Sequence, residues 1–244
     1  SHFDASGTLG GYVMDHIFRV GISGDIPGMT DFIEYGRRPG GVYIPRFRNV
    51  TEDADGYVRG YGYQGGISRA GWKQGAMAPG AVGADIRQNA SRLGPWMAFI
   101  AGFGEVLPNP DNRVTLHATR TDKWGIPIPH IEYAIGKNEQ TMIKQILADG
   151  KAMLEAAGGK VVAQADAAAT PGLGIHEMGT ARMGRDPKTS VLNGFNQAHE
   201  VPNLFVTDGA QMSSSACQNP SLTYMALTAR ACDAAASMLR EGKI

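Results

Sequence analysis

The sequence predicts an α+β fold, a mainly antiparallel sheet with helices on one side, and three observations predict it. Strand-like text runs from Gly40 to about residue 135. One long amphipathic helix follows it. The final third then changes character: a short apolar strand, a small polar loop and an alanine-rich helix. The first observation carries the sheet and the second its covering layer. The third describes a segment that needs a partner, because a β–loop–α ending suits a mostly parallel sheet and this chain offers no βαβ unit for it to join.

The elements follow in order. Residues 1–16 are punctuated by glycine and run into YVMDH. GVYIPRF (41–47) and YVRGYGYQGG (57–66) flank the polar turn TEDADG (51–56). Alternating aromatic and aliphatic residues about an Asp-Gly turn predict an antiparallel hairpin. Glycines 60, 62, 65 and 66 weaken its second strand or admit a close backbone approach. Residues 68–95 carry no clean period and read as irregular or briefly helical. WMAFIAGFGEVL (96–107) is either a buried strand or a short helix, which periodicity does not separate. NPDNRVTLHA (109–118) is a turn feeding a strand, and WGIPIPHIEYAI (124–135) is a second strand whose prolines place it at an edge. Asn138 is the expected cap of the clearest helix, which sets Met142, Ile143, Ile146, Leu147, Met153 and Leu154 on one face and stops at Gly158-Gly159. KVVAQAD (160–166) is strand-like. NLFVTDG (203–209) reads as a short strand ended by Asp-Gly, SSSACQ (213–218) as a loop, and Asn219-Pro220 as the cap and first turn of the last helix.

Composition removes several function classes. A chain of 244 residues can bury a sizeable core as one large domain or two smaller ones. Its 43% hydrophobic and 19% charged residues are ordinary for a globular protein. Basic and acidic residues number 23 each, so nothing resembles the clustered positive charge of a nucleic-acid binder. No apolar run approaches the ~20 residues of a membrane span. Cys217 and Cys232 give no disulfide framework and read as small apolar residues. The opening SHFDASGTLGGYVMDH has no basic or apolar signal-peptide region. It reads like the middle of a protein, so it assigns no compartment.

Two stretches carry chemistry. HEMGTARMG (176–184) sets one histidine at the head of small, flexible residues. With an ordinary pKa of ~6.5, His176 is largely neutral at physiological pH and able to accept a proton. It reads equally as a hydrogen-bonded loop residue. The helix after Asn219 aims free N–H groups at whatever lies before it, which suits a phosphate, an oxyanion or an anionic heterocycle, or is simply a well-capped helix. No metal site is expected: HEMGT lacks the second histidine of a metalloprotease helix, leaving only His199 and Glu177 to recruit. Ser213–Ser215 lack a nucleophile elbow. No Walker-type loop occurs, and no G-x-G-x-x-G follows a strand to open a helix, so the chain carries no dinucleotide-phosphate grip of its own.

GIHEMGTARMG followed by NLFVTDGAQMSSSACQNPSLTYMALTARACDAAA resembles the C-terminal signature of the glucose–methanol–choline (GMC) oxidoreductases. GEVLPNPDNRVTL with DKWGIPIPHIEY is similar to the substrate-domain strands of the bacterial sugar-dehydrogenase and pyranose-oxidase-like branch, and ASGTLGGYVMDH to the junction where the flavin domain ends. The resemblance implies FAD as cofactor. It implies that His176 and Asn219 face the flavin's reactive edge, with His176 as base and Asn219 orienting the substrate hydroxyl during hydride transfer to flavin N5. It implies that Asp208 and Gly209 pass close to the ribityl chain and pyrophosphate, and that the helix opening at Pro220-Ser221 faces the anionic edge of the reduced ring. Arg182 and Thr180 would hold the histidine loop. Gln64, in YGYQGG, would meet a sugar hydroxyl or be a solvated strand residue; Trp72 and Trp124 would stack on a sugar ring or serve core and loop.

One departure stands out. The family carries an N-terminal Rossmann-type FAD domain, and this chain has none. The resemblance therefore divides it into the tail of an FAD domain (1–16), a substrate-binding domain (17–170) and a C-terminal segment (171–244) that returns to complete the absent domain. The expected partners are a sugar or glycoside, the missing FAD-binding half and an electron-acceptor subunit. The expectation is an oxidoreductase acting on a secondary alcohol of a sugar, inactive alone. A non-catalytic domain that binds a carbohydrate or a subunit is the alternative.

Overall fold

The computed structural model describes residues 3–33, 41–53, 56–71, 80–166 and 172–244. Trp72 lies outside the described residues. Seven strands and three helices follow in chain order among them: β1 (His16–Ile26), β2 (Val42–Ile44), β3 (Tyr61–Arg69), α1 (Ala84–Ala90), β4 (Trp96–Glu105), β5 (Arg113–Thr121), β6 (Pro127–Glu132), α2 (Lys137–Ala156), β7 (Lys160–Asp166) and α3 (Ser221–Arg240). The fold is mixed α/β with antiparallel pairing. One sheet has the order β2-β3-β4-β1-β7, and β5 and β6 form a sheet of two.

The chain divides into two compact units. One comprises Ser1–Ile17, Gly104–Gln140 and Thr170–Ile244; the other comprises Phe18–Phe103 and Thr141–Ala169. In the second unit the expected pairing of 41–47 with 57–66 is present as β2 against β3, with Val42 opposite Gly65, Tyr43 opposite Gln64 and Ile44 opposite Tyr63. Residues 96–107 resolve as strand β4. Close approach explains the glycines. A Cβ on Gly65 would lie 2.2 Å from the Phe99 carbonyl oxygen, and one on Gly102 would lie 2.3 Å from the Ile146 side chain. Helix α2 therefore settles directly on the strands, with Met142, Ile143, Ile146, Leu147 and Leu154 buried. Its end is a Schellman turn: Gly159 N–H donates to Leu154, Gly158 N–H donates to Glu155, and Gly158 has φ 83°.

Four expectations are corrected. The sheet does not span 40–135 alone. Beyond the central strand β4 it continues into β1 and the edge strand β7, paired antiparallel, and β1 is buried along most of its length and so shows no alternation to read. The 113–132 hairpin stands as its own two-stranded sheet, where each strand is an edge that tolerates Pro127 and Pro129. Asn138 does not cap α2. It is the second residue of the helix, and Glu139 instead reaches back to accept Gly136 N–H at 2.8 Å. Residues 203–209 are not a strand. Phe205 makes one bridge to Gln197, while Leu204 and Val206 bond to the loops at Val201 and Asn196, so no ladder forms. Neither cysteine is in a disulfide; Cys217 is buried as expected, but Cys232 is exposed.

Candidate active site

Apart from Gln64, all of the following lies within the first unit. Its C-terminal segment is fixed by backbone pairing on both sides. Met14 and Met178 exchange N–H···O bonds of 2.9 Å, and Gly10 N–H donates to Thr180 at 2.7 Å. From the other side, Gly179, Ala181 and Met183 donate to Gly209, Ala210 and Gln211. Gly179 has φ 101° and a Cβ there would lie 2.1 Å from the Tyr12 carbonyl oxygen, so HEMGT needs its glycine to lie against YVMDH. Arg182 completes the clamp: its guanidinium sits 3.8 Å from the Tyr12 ring centroid and donates twice to the Thr189 carbonyl.

This clamp brings Asp15 and His16 beneath the histidine loop. Asp15 is 1% exposed, and its carboxylate accepts three backbone N–H groups: its Oδ1 from His16 at 2.7 Å and His176 at 3.1 Å, its Oδ2 from Gly174 at 2.7 Å. A Cβ on Gly174 would lie 2.3 Å from that Oδ1. Between the two loop donors, Ile175 takes φ 56°, an outlier for a β-branched residue. That strain turns two successive loop segments toward one carboxylate.

The two imidazoles meet edge to face beside it. His16 Nδ1 lies 2.8 Å from His176 Nδ1, with the rings nearly perpendicular at 86°, and His16 Nε2 lies 2.9 Å from the carbonyl oxygen of Ala216. Ala216 also has a left-handed φ of 58°. His16 is 4% exposed. Burial holds its pKa below the ordinary histidine value and the nearby His176 adds to the effect, against the opposing pull of the Ala216 carbonyl and Asp15. His176 is half-buried, and its Nε2 lies 3.3 Å from the Asn219 amide nitrogen.

His176 and Asn219, 43 residues apart, are thus side by side. Asn219 is not the helix cap, however. Pro220 occupies the cap position of α3 and makes no side-chain cap bond, and the Asn219 amide nitrogen faces the histidine. Ser221 is the first helical residue. Asp208 caps the single 3-10 turn Gly209–Gln211 by accepting Ala210 N–H at 2.9 Å, and buried Gly209 leaves room that a Cβ would close against the Glu177 carbonyl. Gln64 belongs to the other unit, half-buried on β3 opposite Tyr43. Trp124 is 73% exposed in the β5–β6 turn with Lys123 over its ring. Ser215 is buried and donates to the Val106 carbonyl. Sequence reasoning missed Asp15 and His16. The signal was there, since a polar dipeptide between Val13-Met14 and Ile17-Phe18 is out of place in an apolar run.

Residues 108–228 match the family described as GMC oxidoreductase. The chain carries the C-terminal domain of that family. This GMC chain is 34% identical to the fructose dehydrogenase large subunit of Gluconobacter japonicus, over 80% of its own length and 36% of that protein. It is 30% identical to the 2-methyl-1,2-propanediol dehydrogenase of Mycolicibacterium austroafricanum, over 94% of its length and 42% of that protein. It therefore spans well under half of these relatives. Among solved structures it is similar to an Aspergillus oryzae formate oxidase studied for FAD modification, with a TM-score of 0.61 at 12% identity, covering 97% of this chain and 48% of that one. That likeness is one of fold. GMC oxidoreductases use FAD and act on sugar or alcohol substrates.

Proposed function

We propose that this GMC chain is the substrate-side and C-terminal part of an FAD-dependent oxidoreductase that oxidises a secondary alcohol of a sugar or glycoside. The observation that carries the reading is the contact of His176 Nε2 with the Asn219 amide at the mouth of α3. A bound flavin supplies the acceptor for the hydride that leaves the carbinol carbon. His176 Nε2 takes the hydroxyl proton, so that carbon and oxygen are left as a carbonyl. General-base help of this kind contributes ~10²–10⁴ in rate. The Asn219 amide holds the substrate oxygen and orients the carbon.

The residues around this pair fit an anionic, planar cofactor. The N-terminus of α3 has no side-chain cap, so its first N–H groups suit an anion. The Tyr224 hydroxyl, in the first turn of that helix, is buried without a hydrogen-bond partner among the described residues. Leu222 is 79% exposed and Met225 67% exposed, and Ala231 is the one buried residue of the 20-residue helix. Such an apolar helix face calls for a covering surface. Pro220 and Ser221 would hold the ring edge, and Asp208 and Gly209 the ribityl and phosphate portion. The domain reading follows: residues 1–16 as the tail of an FAD domain, 17–170 as substrate-binding domain and 171–244 as the returning segment. Gln64 is assigned a sugar hydroxyl, and an electron-acceptor subunit is proposed on the analogy of a relative named as a large subunit.

The test is anaerobic flavin reduction in the protein expressed from its full reading frame, against a panel of sugars, glycosides and small diols. Sugars are expected to bleach the flavin, and His176→Ala to slow bleaching by roughly 10²–10⁴. An unchanged rate in that variant removes His176 as the base.

A further inference from the structure

The geometry points to His16 as a positioning residue that sets the tautomer of His176, an inference that rests on the reading of His176 as the base. The assignment follows from hydrogen-bond chemistry alone. A carbonyl oxygen only accepts, so the Ala216 carbonyl, 2.9 Å from His16 Nε2, requires a proton on that nitrogen. His16 is buried and neutral, so its Nδ1 carries a lone pair. That lone pair lies 2.8 Å from His176 Nδ1, and two facing lone pairs would repel. His176 Nδ1 must therefore carry a proton and donate it. A neutral His176 with Nδ1 protonated has its remaining lone pair on Nε2, the nitrogen beside Asn219. The Asn219 N–H donates to that lone pair at 3.3 Å, a long bond that a substrate hydroxyl can replace.

Free imidazole in water favours the opposite tautomer, with Nε2 protonated and unable to accept. The relay from Ala216 through His16 reverses that preference, and the main chain holds both of its ends. Ala216 aims its carbonyl from a left-handed conformation, and Asp15 binds the backbone N–H groups of His16 and His176 together, so the two rings keep one spacing.

The experiment is ¹⁵N NMR of histidine-labelled full-length holoprotein, with His176 assigned by its loss in His176→Gln, alongside flavin-reduction kinetics. Wild type is expected to show His176 protonated at Nδ1 and bare at Nε2. His16→Gln, which keeps a donor and an acceptor, is expected to hold that state and stay within about threefold of wild-type rate. His16→Leu is expected to show mixed tautomers, a kcat lower by roughly 10–100-fold with KM little changed, and an acid limb of kcat/KM moved to lower pH. A wild-type signal with Nε2 protonated overturns the inference without any variant, so misfolding of His16→Leu cannot shelter it. So does an unchanged His176 tautomer in His16→Leu. If His176→Gln reduces flavin at the wild-type rate, the base reading fails instead, while the tautomer result still decides what His16 does.

Discussion

Asp15 in the first unit and Asp149 in the second each tie distant segments together, and the two are satisfied in opposite ways. Asp149, on α2, is held by side chains: a two-pronged bond from Arg48 at 2.8 and 2.9 Å, the Tyr61 hydroxyl at 2.6 Å and Gln145 at 3.0 Å. Asp15 is held by main-chain N–H groups from two segments. The Asp149 network closes on itself, joining α2 and β3 to the bend at Arg48, and burial and the acid push the Tyr61 phenol far above its ordinary pKa. The Asp15 network stays open. It passes through two imidazoles and ends at a half-buried nitrogen, and it includes two non-glycine residues in left-handed conformation. A closed network fixes a fold; an open, strained one presents an atom.

That contrast can be broken by mutation, and the largest effect is expected at Asp15. Asp15→Ala strands three buried donors, at about 1–3 kcal/mol each when unpaired, and should cost about 3–5 kcal/mol in chemical denaturation together with the flavin-reduction rate. Asp149→Ala should cost less, about 2–3 kcal/mol, because Arg48 is partly exposed and can turn to water. Its signature is a lowered denaturation midpoint with flavin-reduction kinetics unchanged.

Titration separates the two units next. Burial raises the Asp149 pKa, but hydrogen bonds from Arg48, Tyr61 and Gln145 outweigh it, so the carboxyl ends below its ordinary value. Its stabilisation is complete above the unfolded value of about 3.9 and drains away as pH falls below it. His16 is depressed by burial, so the unfolded chain takes up its proton first. Its stabilisation is complete above about pH 6.5 and falls as pH drops from there. Stability measured against pH should therefore show two steps. His16→Gln should remove the upper one and Asp149→Asn the lower.

The smallest stability effect is expected at Ile175. Ile175→Gly relieves the left-handed conformation but adds freedom to the unfolded chain, so the net change should stay within about 1 kcal/mol. Flavin reduction should nonetheless slow, since the loop that carries His176 loses its fixed turn. A change in stability without a change in rate would place Ile175 with the closed network.

These particulars also mark what the sequence disclosed. The face of α2 was legible because Met142, Ile143, Ile146 and Leu147 repeat at helical spacing, and its end because two glycines supply a Schellman turn. The juxtaposition of His176 with Asn219 was legible only through resemblance, since nothing local links positions 43 apart. β1 was not read as a strand because it is buried along most of its length and shows no alternation. The placement of the cap residues failed at two contacts: Asn138 and Asn219 have the right chemistry for a helix start, but Glu139 accepts the Gly136 N–H at the first helix and the Asn219 amide nitrogen faces His176 at the second. His16 escaped notice because its role lies in two hydrogen bonds, to residues 160 and 200 positions away.

The grip on Asp15 has a genetic corollary. Amide hydrogens belong to every residue except proline, so exchanging the exposed side chains at 173 and 177 leaves the anchor of the carboxylate untouched. Those flanking positions can be rewritten letter by letter, to suit another lining, while His176 keeps its place over Asp15. Only a proline at 16, 174 or 176, a side chain at 174, or loss of the acid itself would let go.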